Sequence, residues 1–177
     1  MPGRELKRPI TSIELLLDSE TEAAVRAEWN ALAANGMSSL ASHVSASNRP
    51  HVTLLVRHDL PAFDARALLE RPSFRVTLSS PLLFGGGERR VLARSVVPTA
   101  ELLDLHAGVH AAAGRGDDAP HTTPGEWTPH VTLARRLRLV DLAGALEHVD
   151  GEIHGRAVGL RRWDAATATV SEWGSFG

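Results

Sequence analysis

Apolar and polar positions along this chain switch between two periods in a fixed order. Residues 10–17, ITSIELLL, alternate well enough to predict a strand. Ser19-Glu20-Thr21-Glu22 then reads as a capping box; Val25, Trp29 and Leu32 fall at helical spacing, and Gly36 stands where a helix-closing glycine belongs. A strand followed by an amphipathic helix is the first expected unit. Residues 37–48 are serine-rich and predict a loop or a short irregular strand. Residues 50–56, PHVTLLV, predict a second strand, since its proline fits only a strand start or edge. Pro61 is placed as the first-turn proline of a short helix reaching Glu70. Phe74, Val76 and Leu78 then alternate as a third strand.

The second half repeats this order. Residues 90–97 predict a strand, Thr99 an N-cap, and Leu102, Leu105 and Val109 a helix closed by Gly114. Residues 114–125 form a polar loop before a strand containing PHVTL; residues 141–149 predict a short helix, and 153–160 and 167–173 two more strands. Strand, helix, PHVTL strand, short helix, strand thus occurs twice. The pentapeptide itself recurs unchanged at Pro50-His51-Val52-Thr53-Leu54 and Pro129-His130-Val131-Thr132-Leu133, which average residue usage would produce by chance about one time in a hundred. Two copies of one unit pack about a pseudo-twofold axis, which brings equivalent faces together across a groove. The expected fold is α+β: two pseudo-symmetric lobes of mostly antiparallel sheet with outer helices around a central cleft, one domain over residues 1–177. Phe84-Gly85-Gly86-Gly87 lacks the lysine and hydroxyl of a phosphate-binding loop and predicts a tight hairpin.

Composition narrows the chemistry. The chain has 177 residues, 43% hydrophobic and 23% charged, as in ordinary soluble domains. It has no cysteine, which removes disulfides, thiolate metal sites and cysteine nucleophiles. Its formal charge of −2 is not the footprint of a protein that coats long nucleic acid. Local basic clusters, Arg89-Arg90 with Arg94, Arg135-Arg136 with Arg138, and Arg161-Arg162, remain compatible with a small phosphorylated ligand. The opening MPGRELKRPITS has no apolar core of signal-peptide length, and no run is long enough to span a membrane, so a cytoplasmic protein is expected.

Successive strand side chains point to opposite faces, so His51 shares a face with Thr53, and His130 with Thr132. Two imidazoles and two hydroxyls facing each other suit phosphodiester cleavage: one ring takes a proton, the other gives one, and the hydroxyls hold non-bridging phosphate oxygens. Two His-x-Thr strands of this form resemble the 2H phosphoesterase superfamily, in particular its 2′-5′ RNA ligase-like branch. The resemblance implies two lobes around a cleft and the opening of 2′,3′-cyclic phosphates to 2′-phosphates, or the making and breaking of 2′-5′ bonds at RNA ends. It implies no metal and no cofactor, with His51 and His130 as an acid/base pair of unassigned roles and Thr53 and Thr132 as phosphate binders. Its second motif continues to an arginine five residues after the histidine, the place of Arg135; simple alternation puts Arg136 on the His130 face instead. The first motif departs from the family pattern, with Val56 where many members carry an aromatic residue. Trp127 or Trp163 is the candidate to replace its stacking on a base. The expected partner is a small cyclic nucleotide or an RNA 3′ end, bound by a monomer.

Other readings compete. The repeat could be a strand-entry sequence and the protein a non-catalytic binder of nucleotides or RNA ends. His106 and His110, four apart on a helix, could clasp zinc, although no glutamate follows His106 to complete a metalloprotease pattern. His43, His58, His121, His148 and His154 have no partner pattern and read as surface residues.

Overall fold

Each half of the chain folds in the expected order, and the two halves exchange their last strands. The computed structural model describes residues 8–177, so the reading of the amino terminus falls largely outside the described residues. The first copy comprises β1 (Thr11–Leu17), α1 (Ser19–Ala34), β2 (His51–Arg57), α2 (Arg66–Leu69) and β3 (Phe74–Phe84). The second comprises β4 (Arg89–Val96), α3 (Ala100–Ala113), β5 (His130–Arg138), α4 (Leu142–Leu146) and β6 (Ile153–Asp164), followed by β7 (Thr169–Ser175). Short 3-10 turns occupy Leu40–Ser42 and Leu139–Asp141.

All pairings among these strands are antiparallel, in the order β2-β1-β6-β3-β4-β5. β6 is long enough to carry β3 along its first part and β7 along the rest of the same edge. The first copy's β3 therefore lies against the second copy's β4, and the second copy's β6 against the first copy's β1. The two equivalent half-sheets are β2-β1-β6 and β5-β4-β3, and they meet at the β3·β6 seam. This is the two-lobed α+β architecture, realised as one continuous sheet.

One face of the sheet is covered by α1 and α3. Ile13, Leu15 and Leu17 of β1 pack there with Val25, Trp29 and Leu32 of α1, Leu102, Leu105 and Val109 of α3, and Val131 and Leu133 of β5. The other β1 positions, Ser12, Glu14 and Leu16, are buried on the opposite face. Buried guanidiniums stitch the copies together. Arg94 of β4 holds the Glu28 carboxylate of α1 and the carbonyls of Ser79, Asp150 and Gly151. Arg57 of β2 holds Asp118 and the carbonyls of Ala113 and Gly114, closing the polar loop over the end of α3.

Two local expectations are corrected. The N-cap of α1 is Asp18, whose carboxylate accepts from the Glu20 and Thr21 amides at 3.1 and 3.0 Å, so Ser19 is already helical. The helix expected from Pro61 shrinks to the single turn of α2. The carbonyls of Leu60 and Pro61 are taken by Arg162, Phe63 packs edge-on against Trp173, and the Asp64 carboxylate accepts from the Arg66 amide, so winding starts only after Asp64. Thr99 caps α3 as expected, accepting from the Leu102 amide, and Gly85 and Gly87 turn the β3–β4 hairpin at positive φ. No helix among the described residues is long and apolar enough to cross a membrane.

Candidate active site

His51 and His130 stand at the first positions of β2 and β5. These strands end the sheet path on opposite sides, yet the sheet curves until β2 and β5 touch. In each ring Nδ1 lies 2.7 Å from the carbonyl two residues earlier, Arg49 for His51 and Thr128 for His130. A carbonyl only accepts, so each neutral imidazole carries its proton on Nδ1 and leaves the Nε2 lone pair free. Burial pushes the His130 imidazole below its ordinary range against the pull of the Thr128 carbonyl, and the nearby His51 adds to the downward push. Phe84 packs on the His130 ring at 4.6 Å between centroids.

The strands depart from simple alternation at the same place in both copies. Thr53 faces Glu14 and Leu55 faces Ile13, so Leu54 is skipped; Thr132 faces Ala93 and Ala134 faces Leu92, so Leu133 is skipped. Each is a bulge at the residue after the motif threonine, and beyond a bulge the faces reverse. Val56 and Arg135 thereby return to the histidine face. Both line a cleft of about 460 Å³ together with His51, Thr53, Glu14, Arg161 and Trp163. Arg136 lies in a second irregularity of β5 and lines a separate depression with Arg89 and Arg138. A larger depression of about 590 Å³ between Asp18, Arg75 and Arg156 contains neither motif; the chemistry-bearing side chains, rather than size, mark the site.

The model of the 2′-5′ RNA ligase superfamily matches residues 21–174 of this sequence. The chain belongs to that superfamily. Among solved structures it is similar to Usb1 of Kluyveromyces marxianus, at a TM-score of 0.53 and 15% identity over 94% of this chain and 98% of that one, a likeness of fold. The structure of Kluyveromyces marxianus Usb1 with uridine monophosphate matches at 0.49 and 15% over 95% and 98%. None of the curated proteins compared with this chain matches it.

As a 2′-5′ RNA ligase superfamily member the chain is an enzyme of phosphodiesterase type, and its residues sort by position. The motif carbonyls at the bulges are held by ring N–H donors in a matched way: Trp127 donates to Thr53 O and Trp29 to Thr132 O, both at 3.1 Å. This places Trp127 behind β2, its face stacked on His106 at 3.8 Å, rather than in the cleft; Trp163 is the tryptophan that lines the cleft. The Nε2 atoms of His106 and His110 are engaged with the carbonyls of Thr122 and Leu54 at 2.8 and 3.1 Å, so neither nitrogen is free to ligate a metal in this arrangement. His43, read as a surface residue, rims the cleft on the loop after α1. Sequence reasoning missed Glu14 and Phe84 and saw Arg161 only as part of a basic cluster. Period-two alternation does place Glu14 among polar β1 positions, but only the β1–β6 register brings Arg161 to it.

Proposed function

We propose that this chain is a metal-independent phosphodiesterase that opens 2′,3′-cyclic phosphates to 2′-phosphates, or cleaves and forms 2′-5′ bonds at RNA ends, through His51 and His130. The observation that supports this reading is the matched pair of Nδ1–carbonyl hydrogen bonds, which leaves Nε2 of both motif histidines free on two strands that touch. One Nε2 accepts a proton from water while the other, protonated, donates to the departing ribose oxygen. Thr53 and Thr132 donate to the non-bridging oxygens, and Arg135 offsets the charge that builds on them. The ligand is a small cyclic nucleotide or an RNA 3′ end.

Purified protein incubated with nucleoside 2′,3′-cyclic phosphates in EDTA should yield nucleoside 2′-phosphates, followed by chromatography. His51→Ala and His130→Ala should each lower turnover by about a hundredfold or more. Full activity in both variants would refute the paired-histidine reading. Binding of the nucleotide without turnover by intact protein would make the chain a binder of RNA ends instead.

A further inference from the structure

The two copies treat one equivalent arginine in opposite ways. Arg57 and Arg136 both stand six residues after their motif histidine. Beside each runs the polar segment that precedes the other copy's motif: the Ala119 amide donates to Val56 O at 2.9 Å, and the Arg136 amide to Ser38 Oγ at 3.3 Å. Along β2 that segment supplies a carboxylate. Asp118, twelve residues before His130, holds the buried Arg57 at 2.7 Å and helps line a small pocket of about 190 Å³. Along β5 the equivalent residue is Ser39, twelve before His51, whose hydroxyl donates to the Trp29 carbonyl at 2.6 Å. Arg136 is thereby left exposed, with no carboxylate within ion-pair distance among the described residues.

Two more guanidiniums join it. Arg89 and Arg138 are direct partners across β4 and β5, and Arg136 lies two residues before Arg138. The three line one hollow of about 340 Å³, with Met37 and Ser38 at its rim and Asp141 as the sole acid in its lining. Like charges placed directly opposite in a sheet repel. Asp141 offsets a single one of them, taking Arg138 in a fork of 2.7 and 2.8 Å, while Arg89 reaches the Arg136 carbonyl at 3.5 Å. Arg75 and Arg156 also face each other, across the β3·β6 seam, but there Asp18 and Glu20 share the depression with them. The hollow on β5 thus keeps two unmatched planar cations in a chain of net charge −2, and such forks fit the oxygens of a phosphate.

The hollow continues the cleft. β5 floors both, because Arg135 lines the cleft and Arg136, the next residue, lines the hollow; the segment after α1 walls both, with Met37 and Ser38 at one and Leu40, His43 and Asn48 at the other. A ligand that leaves the cleft past Arg135 meets Arg136 and Arg89. A nucleoside cyclic phosphate has its one phosphate at the histidines and no second anion to place there, whereas an RNA strand carries one in every linkage.

We infer that Arg89 and Arg136, with Arg138 oriented by Asp141, form a second phosphate site, which takes a backbone phosphate on the 5′ side of an RNA end held in the cleft. The inference rests on the phosphodiesterase reading above for what occupies the cleft. It makes single-stranded RNA, rather than a free nucleotide, the preferred ligand.

Fluorescence anisotropy with a 5′-labelled single-stranded RNA hexamer ending in a 2′-phosphate, with a nucleoside 2′-phosphate as competitor, tests the site. The hexamer should bind intact protein about tenfold or more tightly than the nucleoside phosphate does. Arg89→Gln/Arg136→Gln should weaken hexamer binding by about tenfold and make the slope of log K against log salt shallower by about 1.4, since each phosphate contact on a single strand contributes about 0.7. Arg66→Gln/Arg75→Gln removes the same charge from positions away from the cleft and should leave hexamer binding unchanged. All four side chains are exposed, so the variants keep the fold, which a circular dichroism melt checks. A hexamer that binds no more tightly than the nucleoside phosphate would overturn the site, and so would an equal loss in both double variants. Binding is read without turnover, so an inactive protein still tests the site; turnover of cyclic phosphates with no gain from chain length would overturn the site and leave the phosphodiesterase reading standing.

Discussion

At the scale of single residues, the two arginines after the second motif show what a parity count can and cannot see. Counting alternate positions from His130 selects Arg136, and the count fails because Leu133 is extruded from the pairing. Nothing in PHVTLARR marks that extrusion, since leucine is a good strand residue on either face. The bulge becomes intelligible only with the tertiary donors, Trp29 and Trp127, that take the motif carbonyls in the two copies. Steady-state kinetics should separate the two residues. Arg135→Ala removes a charge-assisted contact to phosphate, worth about 1.5–3 kcal/mol, and should lower kcat/KM by about ten- to a hundredfold. Arg136→Ala, facing a different depression, should stay within about twofold of the intact protein.

At the scale of elements, the helix and strand order was readable because each element carries its own periodicity and most carry their own stops. Thr99 and Gly114 bound α3 as their chemistry predicts. What failed were segments whose conformation is decided by distant partners: residues 61–65, pinned by Arg162 and Trp173, and the His106–His110 pair, whose spacing imitates a metal clasp. Those histidines instead tie α3 to the polar loop and to β2. Buried and desolvated, His106 is held down to about 4 despite the Thr122 carbonyl. In the unfolded chain the same ring takes up a proton near pH 6.5. Between about pH 6.5 and 4 the unfolded state therefore binds a proton that the native state refuses, so stability falls as pH falls, by about 3 kcal/mol over the window. Above pH 6.5 both states are neutral at this ring and the effect vanishes. His106→Gln, which can still donate to Thr122, should flatten this part of the stability curve. Urea unfolding at pH 7 and pH 4.5 would show it as a smaller acid-induced drop in midpoint, and an unchanged drop would rule His106 out as the source.

At the scale of the whole molecule, the duplication visible in the sequence is not a pair of separable modules. A reading of two repeated units suggests two lobes, each built from one copy, and the topology forbids that division: β3 completes the half-sheet of β4 and β5, and β6 completes that of β1 and β2. Each copy alone would present a half-sheet lacking its third strand, and a strand with no half-sheet to join. The helices cross in the same sense, since α1 of the first copy is bonded through Glu28 to Arg94 of β4 and through Trp29 to Thr132 of β5. Exposed sheet edges and a core divided between fragments leave neither copy able to offset its chain entropy. Cutting the chain in the Gly85-Gly86-Gly87 turn should thus yield two fragments that melt without a cooperative transition when alone. Mixed at equal concentration they should regain a cooperative circular dichroism melt, because every exchanged pairing can form across a nick at an exposed hairpin. A fragment that folds cooperatively by itself would show the chain to be two domains, and would also imply that β2 and β5, which touch in the intact chain, can part without unfolding either side.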